Sequence, residues 1–410
     1  MLVRLNTFSA GLVSVVSIGL FACAVPEAEI SIVDIDTPTG PISAQPHLSS
    51  TDDGRVVLSW LDHEDDLVSL RFATLGESDW QATVTVARGS DWFVNWADFP
   101  SVVPIEDELW AAHWLVKREG GTYAYDVAIS LSHDEGASWS APVTPHSDNT
   151  RTEHGFVSLF TSESGVGAIW LDGRNMAEDA GHSDGTHSEG GAMTLRSAVI
   201  TATGVLAKEV EVDGRVCDCC QTDAITGPGG PIIVYRDRSE NEIRDIYSAR
   251  FDTQWQSPQL IASDGWEIAG CPVNGPAVDA IGKDVVVAWF TAADNTAIVR
   301  FARSRDGGKS FETPVEIDRD DNVGRVDVVL MPDGSGYVSW LRNANEKTAL
   351  ISLRSVSASG KTGPVQTIGK TGTSRAAGFP QLIRSGDGLV AAWTDTLSES
   401  HRIRTVRIAF

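Results

Sequence analysis

Basic side chains are in short supply: 32 Lys and Arg face 56 Asp and Glu, so the 410-residue chain carries a net charge of −24 at pH 7. Such acidity excludes nucleic acid and anionic membrane surfaces as electrostatic partners, and suits a solvated protein open to cationic ligands. Helical periodicity is missing too, which argues against a helical domain. Apolar runs are short. The first of them, "AGLVSVVSIGLFA", stops at Ala22 and is too short for a comfortable membrane span. Cysteine is nearly absent, with five in all, yet three of these, Cys217, Cys219 and Cys220, crowd into "RVCDCCQTDA".

What is present begins with that N-terminal run. Arg4 gives it a small positive start, and together they read as a secretory signal over residues 1–22. Leu20 and Ala22 ahead of Cys23 resemble a bacterial lipobox, with Phe21 bulkier than usual. By that resemblance Cys23 is lipidated after cleavage and residues 23–28 form a tether. The protein would then sit in the bacterial cell envelope, on the periplasmic side or the outer surface, and meet the membrane through its lipid alone. The alternative is an ordinary signal peptide cut near Ala22. Export also places the remaining thiols where they tend to be oxidised or metal-bound. Cys217, Cys219, Cys220 and Cys271 are then an even count.

An aromatic recurs after a short apolar run seven times: Trp60 in "VVLSWLD", Trp114, Trp170, Tyr235 in "PIIVYRD", Trp289, Trp340 and Trp393. The spacings are 54, 56, 65, 54, 51 and 53 residues. Each unit holds β-rich runs separated by Gly, Asp and Ser turns, as in "PHLSSTD", "RVVLSWL", "LVSLRFATL" and "DWQATVTVA". A four-stranded unit of roughly 50 residues is a propeller blade. The expectation is therefore all-β: one β-propeller of seven four-stranded blades over residues 29–410, with inner strands starting near 46, 100, 156, 221, 276, 326 and 380. The last unit has only three strands, and "EISIVDID" (Glu29 to Asp36) is expected to supply the fourth and close the ring.

Two turns carry a recognisable pattern: Ser132, Asp134, Gly136, Ser138 and Trp139 in "SHDEGASW", and Ser304, Asp306, Gly308, Ser310 and Phe311 in "SRDGGKSF". Both resemble the Asp-box (BNR repeat) of the sialidase-like propeller superfamily, Ser-x-Asp-x-Gly-x-Thr-Trp. The Asp bonds amides of its own turn, Gly takes the tight backbone angle, and the aromatic plugs the blade edge. The resemblance implies a fold marker on the face away from substrate. It also brings to mind the family's chemistry: three arginines on a carboxylate, a Tyr–Glu pair and an Asp. The chain departs from this, with no Arg-Ile-Pro motif near its start, seven units rather than six, and five tyrosines. Of these, Tyr235 stands in the aromatic column, and Tyr123, Tyr125, Tyr247 and Tyr337 fall on outer or internal strand runs.

In a propeller the inner strands all start on one face, beside the channel. Registering the units gathers Asp98, His154, Cys217, Cys219, Cys220, Cys271, Asn274 and Arg325 at that mouth. The loops between second and third strands add Asp62, His63, Asp172, Arg174, Arg236, Asp237 and Arg238. The longest of them, "NMAEDAGHSDGTHSEGG" with His182 and His187, is a candidate lid. Arg174, Arg236 or Arg238, Arg325 and Arg375 are placed to grip an anion, or else to staple loops through nearby carboxylates. The cysteines have three readings: two structural disulfides, whose connectivity a sequence does not fix; a copper or zinc site completed by His154 and Asp98; or a strained Cys219–Cys220 pair with redox or ligand-stacking use.

These features point to a monomeric, lipid-anchored propeller with a site at the mouth for a metal ion or a small polar or glycan ligand. One alternative is an exo-glycosidase of sialidase type, with Asp98, Arg174, Arg238 and Arg325 as candidate catalytic groups. Another is a structural or interaction module of an envelope complex. No cofactor is implied unless copper or zinc occupies the thiols.

Overall fold

The computed structural model describes residues 30–179, 191–207, 209–398 and 400–410. The expected leader, Cys23 and the expected tether lie outside the described residues, as do His182, His187 and most of the long loop. Among the described residues no helix is long and apolar enough to cross a membrane.

Seven antiparallel sheets ring a central channel. Their innermost strands are Ser43–Ser50, Ser101–Pro104, His154–Ser162, Asp223–Gly227, Ala277–Ile281, Asn322–Leu330 and Gln381–Ser385, in blades 1 to 7. The second strands are Val56–Glu64, Trp110–Lys117, Gly165–Asp172, Gly230–Arg236, Asp284–Thr291, Gly336–Asn343 and Gly388–Asp395. Each carries one member of the aromatic column.

The column is what holds neighbouring blades together. Among the described residues the apolar core divides into seven clusters; six span two adjacent blades around one of these aromatics, and the one around Tyr235 reaches further, to Ala97 and Phe379 at the channel mouth. Trp170, for example, packs on Leu115, Val127 and Ile129 of the preceding blade. A large ring bridges the wedge-shaped gap that twisted sheets leave between them, and its burial supplies much of the contact energy. Most of the ring polar groups are answered by carboxylates. Trp60 Nε1 donates to Asp62 Oδ1 at 2.8 Å, Trp170 Nε1 to Asp172 Oδ2 at 2.8 Å, and the Tyr235 hydroxyl to Asp213 at 2.5 Å.

Closure is by the N-terminal strand, Ser31–Ile35, which pairs antiparallel with Arg402–Ala409 from Ser31↔Ala409 to Ile35↔Thr405. Blade 2 departs from the four-strand expectation. Its sheet has three strands, and the fourth position holds an isolated bridge between Ile129 and Val143. The reason is local. Ser140 Oγ takes the Leu131 amide at 3.0 Å, so a side chain replaces a ladder acceptor. Pro142 and Pro145 then remove two donors from the segment.

Along the channel wall, aspartates staple successive blades. Asp223 accepts the Val278 amide at 2.8 Å, Asp279 the Leu330 amide at 2.7 Å, and Asp327 the Leu382 amide at 2.6 Å. Burial pushes Asp223 up to about 7 and raises Asp279 and Asp327 as well.

Candidate functional site

At the mouth the inner strands begin with kinked backbone. Gln45, Phe156, Val273 and Arg325 all have left-handed φ values, of 55°, 53°, 47° and 54°. The ladders of blades 1, 3 and 6 slip register at these points. A bulge of this kind re-aims side chains, and a bulky residue held there stores strain that the surroundings must offset.

The four cysteines come together, from blades 4 and 5. Cys217 follows the last strand of blade 3, and its amide donates to Arg236 O at 3.0 Å. Cys217 and Cys220 are buried, Cys219 is half-buried and Cys271 is exposed; all four are free thiols. Cys217 Sγ and Cys220 Sγ lie 2.7 Å apart, and Arg244 Nη1 donates to Cys217 Sγ at 3.4 Å. Burial resists ionisation of Cys217, but hydrogen bonds from Cys219 and Cys220 and the charges of Arg244 and Arg236 outweigh it. Its pKa falls well below the usual thiol range. Cys271, hydrogen-bonded by Cys219, is lowered too. Cys219 and Cys220 are raised and hold the protons, Cys219 chiefly through its thiol neighbours and Cys220 chiefly through burial.

Beside the thiols lies a group that the strand pattern did not single out. The Tyr125 hydroxyl is 2.9 Å from Asp98 Oδ2 and 2.7 Å from Glu153 Oε1. A phenol has one proton to give, so bonding both carboxyls requires one of them to be protonated. The pKa directions agree. Burial raises Asp98 to about 7; burial, then the charges of Asp98, Asp218 and Cys271, raises Glu153 to about 8. Asp98 also accepts the Phe156 amide at 2.8 Å. Tyr125 itself is fully buried and stacked on Phe93, with ring centres 4.0 Å apart.

His154 goes elsewhere. Its ring stacks on His146 with centres 3.8 Å apart and planes 3° from parallel, between Asp126 on one side and Asp148 on the other. Asp148 lies 3.2 Å from His154 Nε2, and Tyr125 O 3.2 Å from Nδ1. Burial disfavours the imidazolium, but Asp148 and Asp172 more than compensate, so the His154 pKa is raised. The proximity of two His and three Asp suggests a metal site. The ring planes argue against an ion shared by the two imidazoles, because lone pairs lie in the ring plane and the two planes are parallel, and Asp148 and Asp172 beside His154 are already paired with Arg174.

The arginines divide clearly. Arg174 is spent on Asp172 (2.7 Å) and Glu209 (2.5 Å), and Arg238 on Asp218 (3.1 Å) and Glu242 (2.7 Å). Arg236 donates to three buried carbonyls, those of Asn274, Arg244 and Phe290. Arg325 is different. It is buried, Nη1 donates to Gly378 O at 3.1 Å, and Cζ sits 4.6 Å from the centre of the Trp96 ring. Among the described residues no carboxylate forms an ion pair with it. Burial, then the neighbouring Arg375 charge, lowers its pKa to about 10. Asn274 serves as a staple, its Oδ1 accepting the Arg325 amide at 2.7 Å.

The structure thus brings together the four thiols, sets Asp98 with Tyr125 and Glu153, and assigns His154, Arg174, Arg238 and Asn274 to other partners. Sequence reasoning did not single out Glu153, Tyr125, His146, Asp148, Arg244 and Trp96 as site residues. Glu153 was within reach, one residue before His154 in "TEHGF"; the others depend on loop paths that spacing does not encode.

No family model matches the chain, and no curated protein does. Solved structures do. A Dyadobacter fermentans protein of unknown function is 14% identical, with a TM-score of 0.53 over 93% of this chain and 99% of that one. Penicillium chrysogenum alpha-L-arabinanase with arabinobiose is 12% identical, with a TM-score of 0.47 over 92% of this chain and 96% of that one. Trypanosoma rangeli sialidase with sialic acid is also 12% identical, with a TM-score of 0.48 over 88% of this chain and 59% of that one. What the chain shares with the Dyadobacter protein is the propeller fold.

Proposed function

We propose that the protein is a lipid-anchored cell-envelope propeller that binds a small acidic ligand, such as an acidic sugar, at the channel mouth. One observation carries this reading. A chain with a net charge of −24 leaves the buried guanidinium of Arg325 without a carboxylate partner among the described residues. An unpaired buried charge is costly, and an incoming carboxylate or phosphate removes that cost through forked hydrogen bonds. Trp96 and Phe379 form a shelf beneath it, with Phe379 centred 5.9 Å from Cζ.

Calorimetric titration with glucuronate and with inorganic phosphate tests the reading. Arg325→Lys is expected to weaken binding roughly tenfold, since a point charge replaces a fork, whereas Arg305→Gln on the opposite rim leaves it unchanged. No binding by the wild type, or equal binding by Arg325→Lys, would overturn the proposal. If Arg325→Lys does not fold, protection of Arg325 from phenylglyoxal by either anion, read by mass spectrometry, decides instead.

A second reading, an exo-glycosidase, draws on Tyr125 between Asp98 and Glu153, a phenol–carboxyl arrangement suited to acid–base or nucleophilic work. It predicts turnover of fluorogenic sialosides or other glycosides that Tyr125→Phe abolishes. A flat assay removes it.

A further inference from the structure

The thiol cluster is not used by an acidic ligand at Arg325, and its chemistry is distinct. We infer that Cys217, Cys219, Cys220 and Cys271 together hold one soft metal ion, copper(I) or zinc, at the rim shared by blades 4 and 5.

Three observations meet here. The first is convergence: Cys217, Cys219 and Cys220 offer sulfur atoms all within 4.8 Å of one another, and Cys271, exposed on the next blade, is the remaining thiol. A chain with five cysteines in 410 residues places three of them within four positions. The second is bonding state: none of the four is paired in a disulfide, so all four sulfurs are open to an ion. The third is charge. Arg244 is fully buried and donates to Cys217 Sγ, while the Arg236 and Arg244 charges both act on that sulfur. A thiolate–metal centre carries net negative charge, and buried guanidinium groups on its inner side are the counter-ions it needs.

The ligand type selects the metal. An all-sulfur set without an imidazole or carboxylate suits copper(I) or zinc and disfavours hard ions such as calcium and magnesium. His154 and Asp98, which the sequence reading added to this site, are engaged elsewhere and are not needed to complete it. Cys271 is exposed, Cys219 half-buried, and Cys217 and Cys220 buried, so the sulfurs form a path from solvent inward by which an ion can be loaded. Asp218, between Cys217 and Cys219, is fixed on Arg238, which holds the turn closed.

The test uses the full-length protein isolated from the envelope without reductant or added metal. Elemental analysis with thiol titration is expected to give about one copper or zinc per chain and four thiols that alkylate only after a chelator removes the ion. Copper or zinc in that count distinguishes the two ions, and either supports the site. Competition titrations with a copper(I) or zinc chelator are expected to show Cys219→Ser losing more than the roughly 10–100-fold typical of an outer-shell change, and Arg244→Gln falling within that range. Two disulfides in the native protein, or four thiols that alkylate equally with and without metal, would overturn the inference. If Cys219→Ser does not fold, Cys271→Ser, at an exposed position, carries the same expectation. Arg325 variants leave the metal count unchanged, so this result and the anion titration fail independently.

Discussion

The two rims of the ring solve the same problem, how to turn a chain, in opposite ways. On the rim away from the mouth, the turns at Ser132–Trp139 and Ser304–Phe311 satisfy themselves. Asp134 takes the Ser138 amide at 2.8 Å and its hydroxyl at 2.6 Å, and Asp306 does the same for Ser310 at 2.9 and 2.6 Å. Ser132 and Ser304 cap the Gly136 and Gly308 amides at 2.8 and 2.9 Å. Most of the polar groups in these turns are matched within eight residues of chain; the Glu135 and Gly307 amides reach Glu108 O and Lys283 O instead. At the mouth many partners come from other blades, backbone angles are strained, carboxyls hold protons, and no carboxylate among the described residues pairs with Arg325. A region that only holds the fold closes its own polar accounts; a region with something left over is where a ligand can enter.

The comparison predicts unequal costs of damage. The largest effect is expected from Arg236→Met, which leaves three buried carbonyls of blades 4 and 5 without a donor. At about 1–3 kcal/mol per unsatisfied group, a loss of several kcal/mol in urea denaturation follows. A variant within 1 kcal/mol of the wild type, by the same order-of-magnitude scale, would mean that the mouth tolerates loss of long-range partners as easily as the other rim does.

The rims should also titrate in opposite directions. Asp98 and Glu153 have folded pKa values of about 7 and 8, against roughly 4 for unfolded carboxyls. The folded protein therefore binds more protons across that window, and the stability they contribute is lost as pH rises from about 4 to about 8. His154, also raised, has the same sign: its contribution is complete below about 6.5 and is lost as pH climbs through its folded value. Asp134 and Asp306 are lowered by hydrogen bonds from Ser138 and Ser310, so their contribution exists above the carboxylate range and is lost as pH falls. Denaturation curves across this range should show that Asp98→Asn flattens the decline toward high pH, whereas Asp134→Asn flattens the decline toward low pH. The same slope in both variants would remove the distinction.

Much of the fold was legible because it is written as a repeat. Trp60 and its six counterparts recur at blade spacing, and a propeller gives every copy the same task between sheets. The N-terminal strand was legible from a deficit, three runs in the last unit and one spare at Glu29 to Asp36. Blade 2 was not, because Ser140 and two prolines replace a strand without disturbing the spacing of the aromatics. At the mouth, the cysteines were legible by position, since inner-strand starts are fixed by register. The arginines were not: Arg174, Arg238 and Arg325 look alike in sequence, and only the loop paths decide that two meet carboxylates and one meets Trp96. Tyr125 looked like a strand residue and is one; its hydroxyl reaches Asp98 and Glu153 because Gly155 leaves the space its Cβ would fill.

The smallest effect is expected from the double variant Asp134→Ala, Asp306→Ala, and its smallness is informative. Both carboxylates accept several hydrogen bonds, yet the Ser138 and Ser310 donors they serve face solvent. Water replaces a lost acceptor there at little cost, whereas the carbonyls around Arg236 have no such substitute. Gly136 and Gly308 keep their left-handed backbone, with φ of 83° and 75°, and their caps from Ser132 and Ser304. Thermal denaturation should therefore show a modest fall in Tm, with anion affinity and metal content at the mouth unchanged. A large fall would show that these turns hold neighbouring blades in place as well as themselves. Arg55 reaching Glu135 across from blade 1 at 3.0 Å is the contact through which that would occur, and Arg55→Gln in the double-variant background separates the two.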